Sequence, residues 1–209
     1  MVSRWPNRLA VRTELSEHLP VTNSATPLPE LIEGPDLVLR RWRTSELALL
    51  STAVARNVEH LRPWMPWVGD EPLGATARRE LVERWERSWE QGGDVVLGAF
   101  LGDQVVGSCG LHRRRGPHGL EIGYWVDADS TGRGIGTEIG RLLTTAALTV
   151  PEVSFAEIHH DKANIASGRI PERLGYTFIG EAPDEVTAPG EVGIDCTWRV
   201  HVTDWRDGR

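Results

Sequence analysis

The chain reads as one α/β domain of the α+β kind: a mixed, mostly antiparallel, twisted sheet of about six to seven strands flanked by about four helices. Three observations lead there. Segments of strand period alternate with segments of helical period from residue 35 to residue 209. Gly102-Asp103 between two apolar runs is a two-residue hairpin signal. Strands outnumber helices, which favours a mixed sheet over a doubly wound parallel one.

Residues 1–34 are mixed in charge and end in a Pro/Thr/Ser-rich stretch, so they read as an N-terminal arm or a poorly ordered extension, with or without a short helix over Trp5 to His18. Leu37 to Arg43 has strand period. Thr44 or Ser45 can cap a helix running to about Arg56. A Pro/Trp loop follows. Glu80 to Glu90 sets Leu81, Trp85 and Trp89 at four-residue steps, a helix with one apolar face that Gly92-Gly93 ends. Asp94 to Leu101 and Gln104 to His112 are the hairpin strands, and Leu120 to Val126 is the next strand. An amphipathic helix spans Thr137 to Val150, a strand Val153 to His160, and a short helix Asn164 to Arg173. Strands over Tyr176 to Glu181 and Cys196 to Trp205 close the sheet.

At 209 residues, 40% hydrophobic and 25% charged, the composition is that of a globular domain with a real core. No apolar run approaches the roughly 20 residues that span a bilayer, and the N-terminus lacks a signal peptide's apolar stretch, so the expected location is the cytoplasm. Cys109 and Cys196 read as reduced and buried. A net charge of −7 argues against a nucleic-acid binder. Arg113-Arg114-Arg115 reads either as a solvated hairpin tip or as a handle for an acidic partner or phosphate. No metal site is expected.

Function is concentrated in Thr131-Gly132-Arg133-Gly134-Ile135-Gly136, between a strand and a helix. Glycines there let the backbone approach a ligand, and the N–H groups and dipole of the following helix favour an anion. A dinucleotide fingerprint fails, because its last glycine would fall on Thr137 or Ile139. A triphosphate loop fails for lack of Gly-Lys-Ser/Thr. A glycine turn of this kind is by itself often just a turn.

Three segments together resemble the GCN5-related N-acetyltransferases (GNAT family), in their RimJ/RimL-like branch. The turn is similar to the family's Gln/Arg-x-x-Gly-x-Gly/Ala pyrophosphate turn, with Thr131 at the Gln/Arg position and Gly134 and Gly136 as the glycines. Asn164 to Tyr176 resembles the branch's Asn-x-x-Ser-x-Arg to Leu-Gly-Phe/Tyr stretch. Glu59 to Trp67 resembles its His-Leu-x-Pro-Trp-Met-Pro-Trp loop.

The resemblance implies an acetyl-CoA-dependent N-acetyltransferase acting by direct attack of a primary amine, a protein N-terminus or a small molecule. It implies strands splayed beside the turn to admit the pantetheine arm, with a backbone N–H near Val126 aimed at the thioester carbonyl. The pyrophosphate would lie on Thr131, Gly132, Arg133, Gly134, Ile135, Gly136 and Thr137, although Arg133 also reads as a solvated surface charge. Asn164 would contact the pantetheine arm, or cap its helix, or both. Ser167 would protonate the departing thiolate or serve structure alone. Other branches place a tyrosine seven positions after the asparagine, where this chain has Pro171, and Tyr176 reads as core.

For the base, Glu121 is the first choice, because apolar strand neighbours would desolvate it. His112 is the second, and His159 or His160 otherwise ends a strand. A mechanism through water alone is the competing reading. The loop bearing Arg62, Trp64 and Trp67 reads either as the acceptor wall or as a packed connection. A succinyl-CoA transferase, with Arg62 or His112 beside the acyl chain, and a non-catalytic acyl-CoA sensor are the alternative functions. Dimers are common in the branch, so a homodimer is the expected assembly.

Overall fold

The computed structural model describes residues 25–207. One sheet holds eight strands: β1 (Leu31–Glu33), β2 (Leu37–Arg41), β3 (Val95–Leu101), β4 (Gln104–His112), β5 (Gly119–Val126), β6 (Phe155–Asp161), β7 (Thr177–Pro183) and β8 (Ile194–His201), ordered β1-β2-β3-β4-β5-β6-β8-β7. Every neighbouring pair is antiparallel except β5 and β6, which run parallel. Four α-helices complete the domain: α1 (Leu47–Leu61), α2 (Ala75–Glu90), α3 (Ile135–Leu148) and α4 (Ile165–Arg173).

The count of about six to seven strands falls short by β1. That strand has three residues, too few to show a period, and lies inside the expected arm; it pairs with β2 around Gly34, whose N–H donates to Leu37 O at 2.8 Å. The expected helix at Trp5 to His18 lies outside the described residues. α2 begins five residues before Glu80, at an extended Gly74, because its first turn (Ala-Thr-Ala-Arg) carries no apolar stripe to announce it. α3 begins at Ile135, two residues before Thr137, and α1 runs on to Leu61.

The alternation of side chains along each strand divides the core into two layers. Leu97, Cys109, Ile122, Tyr124 and Val126 pack under Ile139, Leu143 and Ala147 of α3. On the opposite face Val96, Phe100 and Trp125 pack under Leu50 and Val54 of α1 and Val82 of α2. Cys109 and Cys196 are buried and free.

The feature that matters for function is where the sheet stops being continuous. β5 keeps its partner β4 as far as Val126, but its parallel ladder with β6 covers only Gly119–Phe155, Leu120–Ala156 and Glu121–Glu157. Beyond Glu121, β6 leaves with β8 and a wedge opens. Asp127 N–H donates to Val106 O at 2.8 Å. Alternation then turns the peptide groups of Val126, Tyr124 and Ile122 away from β4 and toward that wedge.

Candidate active site

At the mouth of the wedge sits the glycine turn. Gly132 and Gly134 have φ of +74° and +81°, the left-handed region that only glycine adopts cheaply. Gly134 is the N-cap of α3, and Glu138 N–H donates to its carbonyl at 3.0 Å. The N–H groups of Ile135, Gly136 and Thr137 therefore have no partner one helical turn back, and the helix dipole is positive there. Thr131 spends its hydroxyl locally, donating to Ala128 O at 2.9 Å.

A cavity of about 170 Å³ is lined by Val126, Thr131, Gly132, Gly134, Ile135, Gly136 and Thr137, together with Ala166, Arg169 and Arg173 of α4. Two guanidinium groups thus meet the positive end of a helix. Sequence reasoning missed both; the signal was their four-residue spacing on a short helix, which puts them on one face. Arg133, expected here, instead lines a separate depression with Leu37, Leu101 and Glu138.

Inside the wedge, α4 presents its first turn to β5. Asn164 is buried and its Oδ1 accepts from Ser167 N–H at 3.2 Å, the capping role weighed from sequence. Ser167 is fully buried, with Oγ 3.5 Å from Tyr124 Oη. Burial pushes the Tyr124 phenol well above its ordinary value, so it keeps its proton. Tyr124 was not anticipated; only its place in the strand alternation could have pointed to it. Tyr176 is core, sharing a 2.6 Å hydrogen bond with Thr144 Oγ1.

The end of β5 is anchored by Asp127, which is 2% exposed. Its Oδ2 accepts from Arg56 Nε at 2.5 Å and Asn57 Nδ2 at 2.7 Å, and its Oδ1 accepts from Asp129 N–H at 3.1 Å. Asn57 Oδ1 accepts in turn from Ala128 N–H at 2.8 Å. α1 is thereby fastened to the residues that lead into the glycine turn.

The candidate bases stand in a different environment from the one expected. Glu121 is buried, but among charges: Arg115 Nε donates to its Oε2 at 2.8 Å and Arg114 Nη1 lies 3.4 Å from Oε1. Apolar neighbours along its own strand gave no sign of this, because the arginines arrive from the β4–β5 turn. The arginine triplet is accordingly neither a free tip nor a handle, since Arg113 reaches Glu152 at 3.3 Å. His112 is buried with Nδ1 2.9 Å from Asp94 Oδ2. Both sit at the closed end of the wedge, opposite each other across the β4–β5 ladder.

His160 is structural: Trp198 Nε1 donates to its Nε2 at 3.1 Å, leaving Nδ1 to donate to Asp161 O at 2.9 Å. His159 is held between Asp195 Oδ2 at 2.8 Å and Glu157 Oε2 at 2.9 Å. Burial alone would lower its pKa, but the two carboxylates more than reverse this and hold it above the ordinary imidazole value. The stability this gives is complete below the unfolded pKa of about 6.5 and is lost as pH rises through the higher folded value. Between about pH 6 and about pH 9 the wild type is therefore expected to lose melting temperature, and His159→Gln to lose distinctly less. Parallel thermal melts check this; equal slopes would refute it.

The Trp loop divides. Trp67 lines a second cavity of about 170 Å³ with Leu50, Leu81, Trp85 and Trp125, between α1, α2 and the sheet. Trp64 packs against the α1/α2 core instead. Arg62 is about half exposed and donates to Glu59 at 2.9 Å, away from that cavity. The loop before β8 closes over this region: Gly190 N–H donates to Pro63 O at 2.8 Å, and Asp161 Oδ2 accepts from Gly193 N–H at 2.9 Å.

Among the described residues no group of three or more His, Cys, Asp or Glu side chains could hold a metal ion, and no helix is long and apolar enough to cross a membrane. Residues 36–177 match the family described as "Acetyltransferase (GNAT) domain". A curated relative is YdaF of Bacillus subtilis (strain 168), whose name gives it as a candidate ribosomal N-acetyltransferase; it is 24% identical over 74% of this chain and 85% of its own. The RimL ribosomal L7/L12 alpha-N-protein acetyltransferase in complex with coenzyme A superposes with a TM-score of 0.75 at 20% identity, covering 82% of this chain and 98% of that one. The microcin C7 self-immunity acetyltransferase MccE, in complex with acetyl-CoA and AMP, superposes with a TM-score of 0.73 at 15% identity, covering 80% and 93%.

Proposed function

Since this chain belongs to the GNAT acetyltransferase family, we propose that it transfers the acetyl group of acetyl-CoA to a primary amine, a peptide N-terminus or a small molecule. The observation that carries this reading is the wedge: a sheet interrupted beside a glycine turn that ends in a cationic cavity. The residues fit such a co-substrate. The positive φ of Gly132 and Gly134 is needed to expose the turn amides, and Arg169 and Arg173 supply charge for phosphates. Peptide groups of β5 face the gap where a pantetheine arm would lie, the Val126 N–H among them.

Acetyl-CoA, when bound, supplies an activated thioester. Val126 N–H is assigned to polarise its carbonyl. Asn164 orders the first turn of α4 and so places Ser167. The nitrogen–acyl bond forms as the carbon–sulfur bond breaks, and Ser167 gives its hydroxyl proton to the departing sulfur. Tyr124, kept neutral by burial, supports the serine oxygen by its hydrogen bond and keeps its own proton, and the proton that the new amide nitrogen sheds returns to Ser167 through water. The acceptor ammonium loses its proton through water, because Glu121 is engaged by two arginines and both it and His112 lie at the closed end of the wedge. A succinyl group would need a cation at the thioester end, and of the two proposed for it Arg62 lies on the surface outside both cavities and His112 at the closed end of the wedge. Acetyl is therefore the favoured acyl group. Work on a peptide N-terminus, the activity in RimL's name, would place the protein in the cytoplasm.

Thiol release from acetyl-CoA and succinyl-CoA, over a panel of N-terminal peptides, polyamines, amino acids and aminoglycosides, tests this. Release with acetyl-CoA and one amine class is expected; coenzyme A binding with no release from any amine would leave a sensor. Ser167→Ala should lower kcat about tenfold with an unchanged acceptor KM. That is below the usual contribution of a general acid, about a hundredfold or more, because a thiol of pKa about 8.5 already leaves readily. An unaltered kcat would remove Ser167 from the chemistry.

A further inference from the structure

Strands β5 and β6 part at a pair of acids. The last rung they share is Glu121–Glu157, so the two side chains leave the same face of the sheet side by side. Both are buried. Like charges opposite each other on neighbouring strands repel, and more strongly away from water. Here the repulsion falls on the one rung where the wedge begins.

Three arginines answer it, but not in the same way. Arg114 Nη1 lies 3.4 Å from Glu121 Oε1, and Arg199 Nε donates to Glu157 Oε1 at 2.7 Å. Each of these serves one acid. Arg115 serves both: its Nε donates to Glu121 Oε2 at 2.8 Å and stands 3.3 Å from Glu157 Oε2, and its Nη2 also donates to Glu121. A planar guanidinium can hold two carboxylates at once, which a point charge does less well. Arg115 itself comes from the turn between β4 and β5, outside both strands it joins. On the far side, His159 Nε2 lies 2.9 Å from the same Glu157 Oε2, which ties that carboxylate to β6 and, through Asp195, to β8.

We propose that Arg115 is a positioning residue for the acyl-CoA: by clasping Glu121 and Glu157 it fixes how far β5 and β6 stand apart beside Ile122, Tyr124 and Val126. The inference rests on the acetyltransferase reading for what fills the gap, but the clasp can be measured in the ligand-free protein. A gap held at its working width binds more tightly than one that must be ordered on entry. Arg115 does not line the anion cavity, so its effect on coenzyme A reaches the ligand through the strands.

Arg115→Gln is expected to weaken coenzyme A binding about tenfold by calorimetry, the scale of coupling within one ion-pair network. The KM for acetyl-CoA should rise by a similar factor while the acceptor KM stays unchanged. Without ligand, the Leu120 amide, which the strand alternation turns from β4 toward β6, should exchange with solvent about tenfold faster. Arg115→Lys keeps a charge between the acids and should hold affinity and exchange within about threefold of wild type.

The deciding variant combines Arg115→Gln with Glu121→Gln. With one acid made neutral the repulsion is gone, and both readouts should return to within about threefold of wild type. An arginine that merely packed would not be rescued by losing a second charge. Unchanged coenzyme A affinity in Arg115→Gln, or a double variant no better than the single one, overturns the proposal. If Arg115→Gln alone does not fold, the double variant is still expected to fold and bind, and its failure also overturns it. Wild-type protein that binds no coenzyme A would instead sink the acetyl-CoA reading, and Leu120 exchange would still decide the clasp.

Discussion

Replacing Gly134 by valine is expected to weaken acetyl-CoA binding about a hundredfold while lowering the melting temperature by only a few degrees. At φ +81° a β-branched residue meets its own backbone, and the left-handed region costs an ordinary residue about 1–2 kcal/mol. Relaxing that strain requires rotation of the peptide groups that begin α3. The helix itself survives, because Ile139 and Leu143 stay anchored in the core. The amides at Ile135 to Thr137 do not keep their aim. Losing two charge-assisted hydrogen bonds to a pyrophosphate, at about 1.5 kcal/mol each, gives the hundredfold. Calorimetry with coenzyme A beside a thermal melt checks both halves; unchanged affinity would show that the turn holds no phosphate.

Asp127→Ala is expected to cost about 3 kcal/mol, a fall in melting temperature of about 6–12 °C for a domain of this size. Its carboxylate answers Arg56, Asn57 and the Asp129 amide while buried. Removing it leaves one of the two buried Asn57 N–H groups unanswered, the other still donating to Ala53 O at 2.8 Å, whereas Arg56, 41% exposed in its side chain, can turn to water. That partial escape keeps the cost at the lower end for a broken buried pair. Catalysis should fall beyond what stability explains, since the same carboxylate fixes the approach from Val126 to the glycine turn. Asp127→Asn, which keeps the shape and loses the charge, should lie between. Denaturant melts and kcat on the folded fraction are the measurements, and a loss below about 1 kcal/mol would refute the anchor.

Most of the fold was legible in the sequence because most elements carry their own signal. Gly102-Asp103 announced the β3–β4 hairpin, and the steps Leu81, Trp85, Trp89 announced α2. What was hidden depends on partners far away in the chain. Leu31–Glu33 becomes a strand only because Leu37–Arg41 lies beside it. Glu121 looked desolvated because its strand neighbours are apolar; its arginines come from outside the strand. Arg133 sits inside the glycine turn in sequence, yet it lines a different depression. Arg169, Arg173 and Tyr124 join the site through the packing of α4 against α3 and β6, which no local pattern encodes.

The three rungs that join β5 to β6 have a mechanical meaning. Strands β1 to β5 form one plate and β6, β8 and β7 another, and the backbone stitching between the plates is short and all at one end. Such an arrangement behaves as a hinged pair of covers. A molecule lying in the gap touches both, so part of its binding energy is spent holding the covers at a fixed angle. Amide hydrogens of Ile122, Tyr124 and Val126 should then exchange with solvent more slowly once the gap is filled.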